Sequence, residues 1–267
     1  MKQVFNVKRV YGVVLRHFFL LRHSPSRWLD LLYWPTVDLL LWGFITVYLQ
    51  KEAYSHNFWV FQFIGALIFW NILIRAQQGL AVGFLEDVWS RNLVYIFVSP
   101  LRVYEYLAGL IVYSVFKAAI ASFLMVAIAG LVFHFKFWLT GLQLFLLVYG
   151  LLLFAWSIGL LTMSFLLFFG QEAEILAWAL ALLFLPFSAV FYPVEILPEP
   201  LRSLAKLVPA SYLFETMRQI LITGQWKIGW VVKSYLLNLV YLGFSLGVFG
   251  YAFKLAKKTG KLPKIGE

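Results

Sequence analysis

Glu86 to Gly109 reads EDVWSRNLVYIFVSPLRVYEYLAG. It sets a charged, amphipathic stretch and a Ser-Pro-Leu stop between two long apolar runs. Glu86 and Asp87 are expected to open a helix, where negative charge complements the positive end of the helix dipole, and Leu93, Ile96 and Phe97 follow at helical spacing. Ser99-Pro100 ends it: proline disfavours helix for the residue before it and suits the first turn of the next helix. A short element with charges and apolar knobs at the inner membrane surface suits docking into a groove of a soluble partner. A solvated loop helix would have the same composition.

The composition around this stretch sets the class. Of 267 residues, 63% are hydrophobic, 19% aromatic and 13% charged, with a mean hydropathy of +0.84, far from the average of water-soluble domains. That much apolar surface cannot be hidden in one soluble core, so lipid must solvate most of it. With no cysteine, disulfides, thiolate metal sites and cysteine nucleophiles are excluded. The charged N-terminus does not read as a cleaved signal peptide.

Crossing about 30 Å of hydrocarbon at 1.5 Å per residue gives an all-α integral membrane fold with six expected spans. They are Leu29 to Leu49, Phe58 to Ile74, Tyr106 to Phe133, Leu142 to Phe169, Ile175 to Tyr192 and Ile228 to Phe253. One domain follows, with residues 1–28 as a cytoplasmic interface helix, 29–254 as the six-span unit and 255–267 as a cytoplasmic tail. Cytoplasmic flanks retain Lys and Arg, and placing both termini inside leaves 14 such residues on that side against 7 outside, with Lys117 within a span. The net charge of +10 then reads as a topology signal and an attraction to anionic lipid rather than a nucleic-acid footprint.

Two pieces are unusual for a plain helical bundle. Val4 to Leu31 alternates basic and apolar residues, as a helix lying along the membrane surface does, with a break at Ser24-Pro25. It either anchors the chain or transmits motion. Pro193, Pro198, Pro200 and Pro209 cut the apolar segment from Pro193 to Gly224 into lengths too short to span. Helices over Leu201 to Val208 and Tyr212 to Ile222 make it a re-entrant pair, or else a surface loop with two amphipathic turns.

Ionisable and aromatic residues within spans are the candidate pathway. Each charge costs about 2.5–3.5 kcal/mol at mid-membrane unless paired or hydrated. Lys117, expected near the midplane, either faces the pathway and attracts an anionic group, or snorkels or pairs with Asp38. Glu172 and Glu174 sit in the inner turn between spans four and five. Trp70 and Trp156 lie away from the expected membrane borders, so they either line an aromatic path or pack. Tyr192, Pro193, Glu195 and Pro209 mark a candidate outer gate.

Other classes fare worse. His17, His23, His56 and His134 form no His-x-x-x-His zinc spacing, no Gly-x-Ser-x-Gly elbow occurs, and Asp38 is the one carboxylate expected well inside a span. An ion-coupled carrier or channel would carry several intramembrane charges and internal repeats. No repeat stands out.

In the order of its features the chain resembles the permease subunit of type-2 ATP-binding-cassette exporters, and the likeness covers most of its length. The features are the N-terminal interface helix, the acidic Glu86-Asp87 followed by Leu93 and Ser99-Pro100-Leu101, and the broken segment FYPVEILPEPLRSLAKLVPASYLFETMRQIL from Phe191. The resemblance implies that Glu86 to Val98 is a coupling helix held by a separate ATPase subunit, with Glu86, Asp87, Arg91, Leu93, Ser99, Pro100, Leu101 and Arg102 as contact residues. It implies two permeases and two ATPases per exporter. A homodimer with a seam between copies is also the economical way for six spans to make a path. No Walker A string occurs, so this chain carries no cofactor of its own, and ATP and Mg2+ belong to the partner. In flavour it is similar to drug-resistance and lipooligosaccharide exporters, with polysaccharide exporters slightly further away. An inner-membrane location, membrane lipids as partners and an amphipathic or lipid-like substrate moved outward follow from that likeness.

Overall fold

The computed structural model describes residues 5–52, 58–135 and 141–259, without the side chains of residues 52, 58–61, 94 and 97. Among the described residues there is no strand. The helices are α1 (Val7–Arg22), α2 (Pro25–Glu52), α3 (Phe58–Trp89), α4 (Leu93–Val98), α5 (Val103–Phe133), α6 (Gly141–Phe169), α7 (Leu176–Leu183), α8 (Glu199–Ala205), α9 (Pro209–Thr223) and α10 (Ile228–Lys258).

Five of these, α2, α3, α5, α6 and α10, are long and apolar enough to cross a membrane. The fifth expected run is not one of them. Ile175 to Tyr192 folds as α7, eight residues long, followed by a 3-10 turn at Leu185–Phe187. Pro186 sits in that turn, where its missing amide hydrogen and fixed φ stop helical continuation, and Ala189 follows with a left-handed φ of 54°.

The arrangement follows from polarity. With lipid as solvent, a helix carrying polar side chains is stable only if other helices surround it. α3 has the least apolar spanning stretch of the five and carries Gln62, Asn71, Arg75, Gln77, Gln78, Glu86 and Asp87, and 89% of that stretch is buried, against 22–56% for the other four. Gln77 shows how the polar groups are satisfied: its Nε2 donates to Thr162 Oγ1 at 3.4 Å and to the Ala177 carbonyl at 3.3 Å. The outer helices turn residues such as Phe44, Phe123, Leu236 and Phe244 outward. These are the groups that lipid tolerates.

Contact registers give the helix directions. Going down α3 from Asp87 to Gly83 to Gly79, the α5 partners climb from Tyr106 to Leu110 to Ser114, so the pair is antiparallel. α6 and α10 advance together, Tyr235 donating to the Leu146 carbonyl, Asn238 to the Gly150 carbonyl, and Tyr241 meeting Phe154, so they are parallel. α1 also runs beside α5 in its own direction: Arg9 meets Glu105, Val13 meets Gly109 and His17 stacks on Tyr113.

The N-terminal expectation is therefore refined. The basic helix ends at Arg22, and residues 25–28, assigned by the sequence to the interface segment, are the first turn of α2, with Pro25 at its opening position where a missing amide hydrogen costs nothing. In the proline-broken segment the expected Leu201–Val208 and Tyr212–Ile222 helices appear as α8 and α9, each starting earlier, with prolines at their openings.

Close approach of α3 to α5 depends on Gly79, where a Cβ would stand 2.5 Å from Ser114 Cα. Gly79→Val should cost about 1–3 kcal/mol by overpacking and lower the unfolding midpoint of purified protein. Gly247→Val, on a face of α10 with open space around it, should leave the midpoint unchanged.

Candidate functional site

The charged residues gather at the end of the bundle where α1 packs. α3 runs on past Ile74, because apolar burial continues through Leu80, Phe84, Leu85 and Val88. Glu86 and Asp87 thus close α3, and do not open the helix of the connector as their acidic character suggested. Negative charge at a helix C-terminus opposes the dipole. Cations from α1 and α2 offset it. Arg16 Nη1 lies 2.5 Å from Asp87 Oδ1, while the Tyr106 hydroxyl donates to Oδ2 at 2.6 Å. Arg27 Nε donates to Glu86 Oε1 at 2.7 Å. His17, fully buried, stands between the two, with Nδ1 3.8 Å from Glu86 and Nε2 3.6 Å from Asp87. One turn into α5, Glu105 accepts from the Asn6 and Arg102 amides at 2.9 and 3.0 Å and pairs with Arg9 at 3.3 Å.

Asp87 and Glu105 are inaccessible and Glu86 nearly so, whereas Arg9, Arg16 and Arg27 keep about a third of their side chains exposed. The carboxylates are hidden beneath their partners. They fasten α1 and the first turn of α2 to α3 and α5 and present no free face to another protein.

The connector itself is built around a short helix. α3 ends with Asn92 N–H donating to the Asp87 carbonyl at 3.0 Å and Arg91 at a φ of 54°, the left-handed closing conformation usually held by glycine. α4 follows, and Ser99 closes it: its amide donates to the Tyr95 carbonyl at 3.1 Å and its hydroxyl to the Ile96 carbonyl at 2.6 Å. Pro100 lies in the extended link before α5. Of the expected contact residues, Leu93 is buried in the core, Leu101 and Arg102 are half-buried, and Arg91, Ser99 and Pro100 are exposed. The Phe97 side chain lies outside the described residues. Among the described side chains of α4 the most exposed apolar groups are Tyr95 (75%) and Val98 (81%), which the sequence reading did not single out. Between α4 and α1 runs an open groove of about 450 Å³ lined by Arg9, Arg16, Tyr95, Ile96 and Pro100.

Of the expected pathway residues, Trp70 and Trp156 share one packed cluster with Ala118, the neighbour of Lys117. Lys117 is buried, its Nζ 5.9 Å from the Tyr113 ring. Among the described residues neither Lys117 nor Asp38, one of the alternatives for its partner, makes an ion pair. Arg75 pairs with Asp30 at 3.3 Å and donates to Gln78 at 3.0 Å. Trp70 is part of the core between α3 and α6. Trp156 donates its indole N–H to Ser114 Oγ at 3.0 Å, tying α6 to α5. Glu174 accepts from the Trp89 indole at 3.0 Å, so the turn after α6 is fastened to the end of α3.

At the opposite end the broken segment is held by Glu215 and Arg218, which sequence reasoning passed over. Glu215 Oε1 accepts the Val194 amide at 2.8 Å and pairs with Arg218 at 2.9 Å, and Arg218 Nη2 donates to the Ala189 carbonyl at 2.7 Å. The expected gate residues lie around this pair. The Tyr192 hydroxyl donates to the Pro186 carbonyl at 2.8 Å, the Glu195 carbonyl accepts from Arg202 at 2.7 Å, Pro193 precedes a 3-10 turn, and Pro209 opens α9 with its carbonyl bonded to Ser234 at 2.8 Å. The Glu195 carboxylate makes no ion pair among the described residues.

Residues 44–253 match the family model described as ABC-2 family transporter protein. The chain belongs to that family. Comparison with curated proteins gives no match. As an ABC-2 permease it is a membrane subunit of an ATP-binding-cassette transporter, which implies an ABC ATPase partner.

In this permease, Asp87→Asn should cost about 3 kcal/mol, since it breaks a buried pair and weakens the acceptor of Tyr106. Arg16→Gln should then add little in the Asp87→Asn background, and Lys233→Gln, exposed and remote, nothing. Unfolding midpoints of the four purified variants read the coupling directly.

Proposed function

We propose that this permease moves an amphipathic or lipid-like substrate, such as a drug, lipid or lipooligosaccharide, outward across the inner membrane, driven by a separate ATPase subunit that grips α4 from the cytoplasmic side. The observation that carries the reading is the exposure of Tyr95 and Val98 on α4 beside the α1 groove, directly over helix ends that ion pairs lock together. Force applied at α4 would pass into α3, α5 and α1 as one body. The contact residues are then Tyr95, Val98, Ser99 and Pro100 with Arg91, while Glu86, Asp87, Leu93, Leu101 and Arg102 hold the handle in shape.

Six crossings remain the better count, with both termini cytoplasmic. α6 and α10 are parallel, so the chain between them must return across the bilayer. α7 supplies only about 12 Å of that path at 1.5 Å per residue. The 3-10 turn and the stretch up to Pro193 would complete it, and the packing of α9 on α6 and α10 supports reading α8 and α9 as the re-entrant pair. A homodimer would supply the pathway between copies, because Lys117, Trp70 and Trp156 are used for packing within one. The resemblance to drug and lipooligosaccharide exporters favours the amphipathic substrate over glycans.

Reconstituted with the ATPase that copurifies with it, the permease should support substrate-stimulated hydrolysis when lipids, glycolipids and hydrophobic drugs are screened. Tyr95→Ala combined with Val98→Asp should lower that stimulation at least about tenfold, as expected for loss of apolar anchors at a contact. The unfolding midpoint should stay unchanged, because both side chains face solvent. Full stimulation in the double variant would contradict the proposal.

A further inference from the structure

Three of the arginines contributed by the N-terminal region are paired with carboxylates: Arg9 with Glu105, Arg16 with Asp87 and Arg27 with Glu86. Arg22, in the last turn of α1, is different. It is exposed and makes no ion pair or hydrogen bond among the described residues, and it stands at an open slot of about 600 Å³ between the end of α1 and the start of α2. The slot walls are Trp28, Leu29, Leu32 and Tyr33. Its base is firm, since Trp28 and Leu32 pack on the buried cluster of Leu21, Leu31 and Ala121. The Trp28 indole N–H has no protein acceptor among the described residues. Arg22 also lies one turn beyond Phe18, which packs on Phe116 of α5, so it shares a face with an aromatic that meets the spanning bundle.

A single uncompensated cation above an apolar, aromatic-walled slot is complementary to one kind of molecule, an anion carrying a hydrocarbon chain. The volume falls within the usual range of ligand clefts, about 300–1,000 Å³. Arginine is suited to phosphate because its planar fork donates two parallel hydrogen bonds, and tryptophan gathers at the headgroup level, where one edge is wet and the rest apolar. We infer that this slot binds an anionic phospholipid from the leaflet beside α1, with the phosphate on Arg22 and the Trp28 N–H and an acyl chain along Leu29, Leu32 and Tyr33. A bound lipid there would brace the α1–α2 corner, and with it the helix that the buried carboxylates hold against α3 and α5. The inference rests on α2 being a membrane span and not on which substrate is carried.

The test uses the full chain purified in detergent, without ATPase or nucleotide, so its result is independent of the transport reading. Unfolding midpoints are measured while phosphatidylglycerol, phosphatidylcholine or glycerol 3-phosphate is titrated in. Phosphatidylglycerol should raise the midpoint, and the other two should not. Arg22→Gln should weaken the apparent affinity for phosphatidylglycerol about fivefold, the contribution of one basic residue near an anionic surface, and Lys257→Gln with Lys258→Gln should leave it unchanged. Leu29→Gln, on the exposed wall, should weaken it too and serves if Arg22→Gln fails to accumulate. The inference is overturned if phosphatidylcholine or glycerol 3-phosphate stabilises equally, if phosphatidylglycerol has no effect, if the tail lysines matter as much as Arg22, or if the slot variants titrate like the parent.

Discussion

Three carboxylates withdrawn from water, Glu86, Asp87 and Glu105, organise one end of this protein. A buried charge is tolerable only beside an opposite one, and the opposite charges here come from Arg9 and Arg16 of α1 and from Arg27 in the first turn of α2. α1 is therefore held by electrostatic necessity more than by hydrophobic fit, although Val13 against Gly109 shows that shape is matched as well. Since the connector α4 springs from the same helix ends, displacing it would carry α1, α3 and α5 along or break ion pairs whose carboxylates are buried. Rigidity at this corner is what a handle requires.

The same rule sorts the rest of the bundle. Lipid offers no hydrogen bonds, so α3, with the polar side chains, goes to the middle, and the aliphatic faces of α2, α5 and α10 turn outward. At the far end, the break between α7 and α9 leaves backbone groups without helical partners, and Glu215 and Arg218 supply bonds to Val194 and Ala189 from within. The Tyr192 and Ser234 hydroxyls satisfy the Pro186 and Pro209 carbonyls beside them. Both ends of the molecule thus use ion pairs as structural ties, one to hold a surface helix and one to hold a broken segment.

Much of this was legible in the sequence. Apolar run length located four of the long helices to within a few residues, and the prolines located the breaks around α8 and α9. What run length could not convey was the fate of charges. Glu86 and Asp87 look like the opening of a helix when only neighbours in sequence are considered, and they close α3 because Arg16, His17 and Arg27, some 60 to 70 positions earlier, stand ready to compensate them. A sign was present: on α1 the basic Arg9 and Arg16 and the imidazole of His17 share a face with Val13, which is unusual for a helix whose charges merely point to water. Similarly, Ile175 to Tyr192 is apolar enough for a span, but Pro186 caps the helix at α7. Run length also says nothing of which way Lys117 turns: its side chain is buried with Nζ 5.9 Å from the Tyr113 ring, and among the described residues it forms no ion pair.

The central claim is that α4 is a cytosolic handle on a gate that has no motor of its own. The chain contains no cysteine, so single cysteines report location without background. In intact cells, a membrane-impermeant maleimide should fail to label Tyr95→Cys and label it fully once the cells are permeabilised, whereas Glu195→Cys should be labelled in both conditions. Labelling of Tyr95→Cys in intact cells would put the connector on the outer surface and contradict the account.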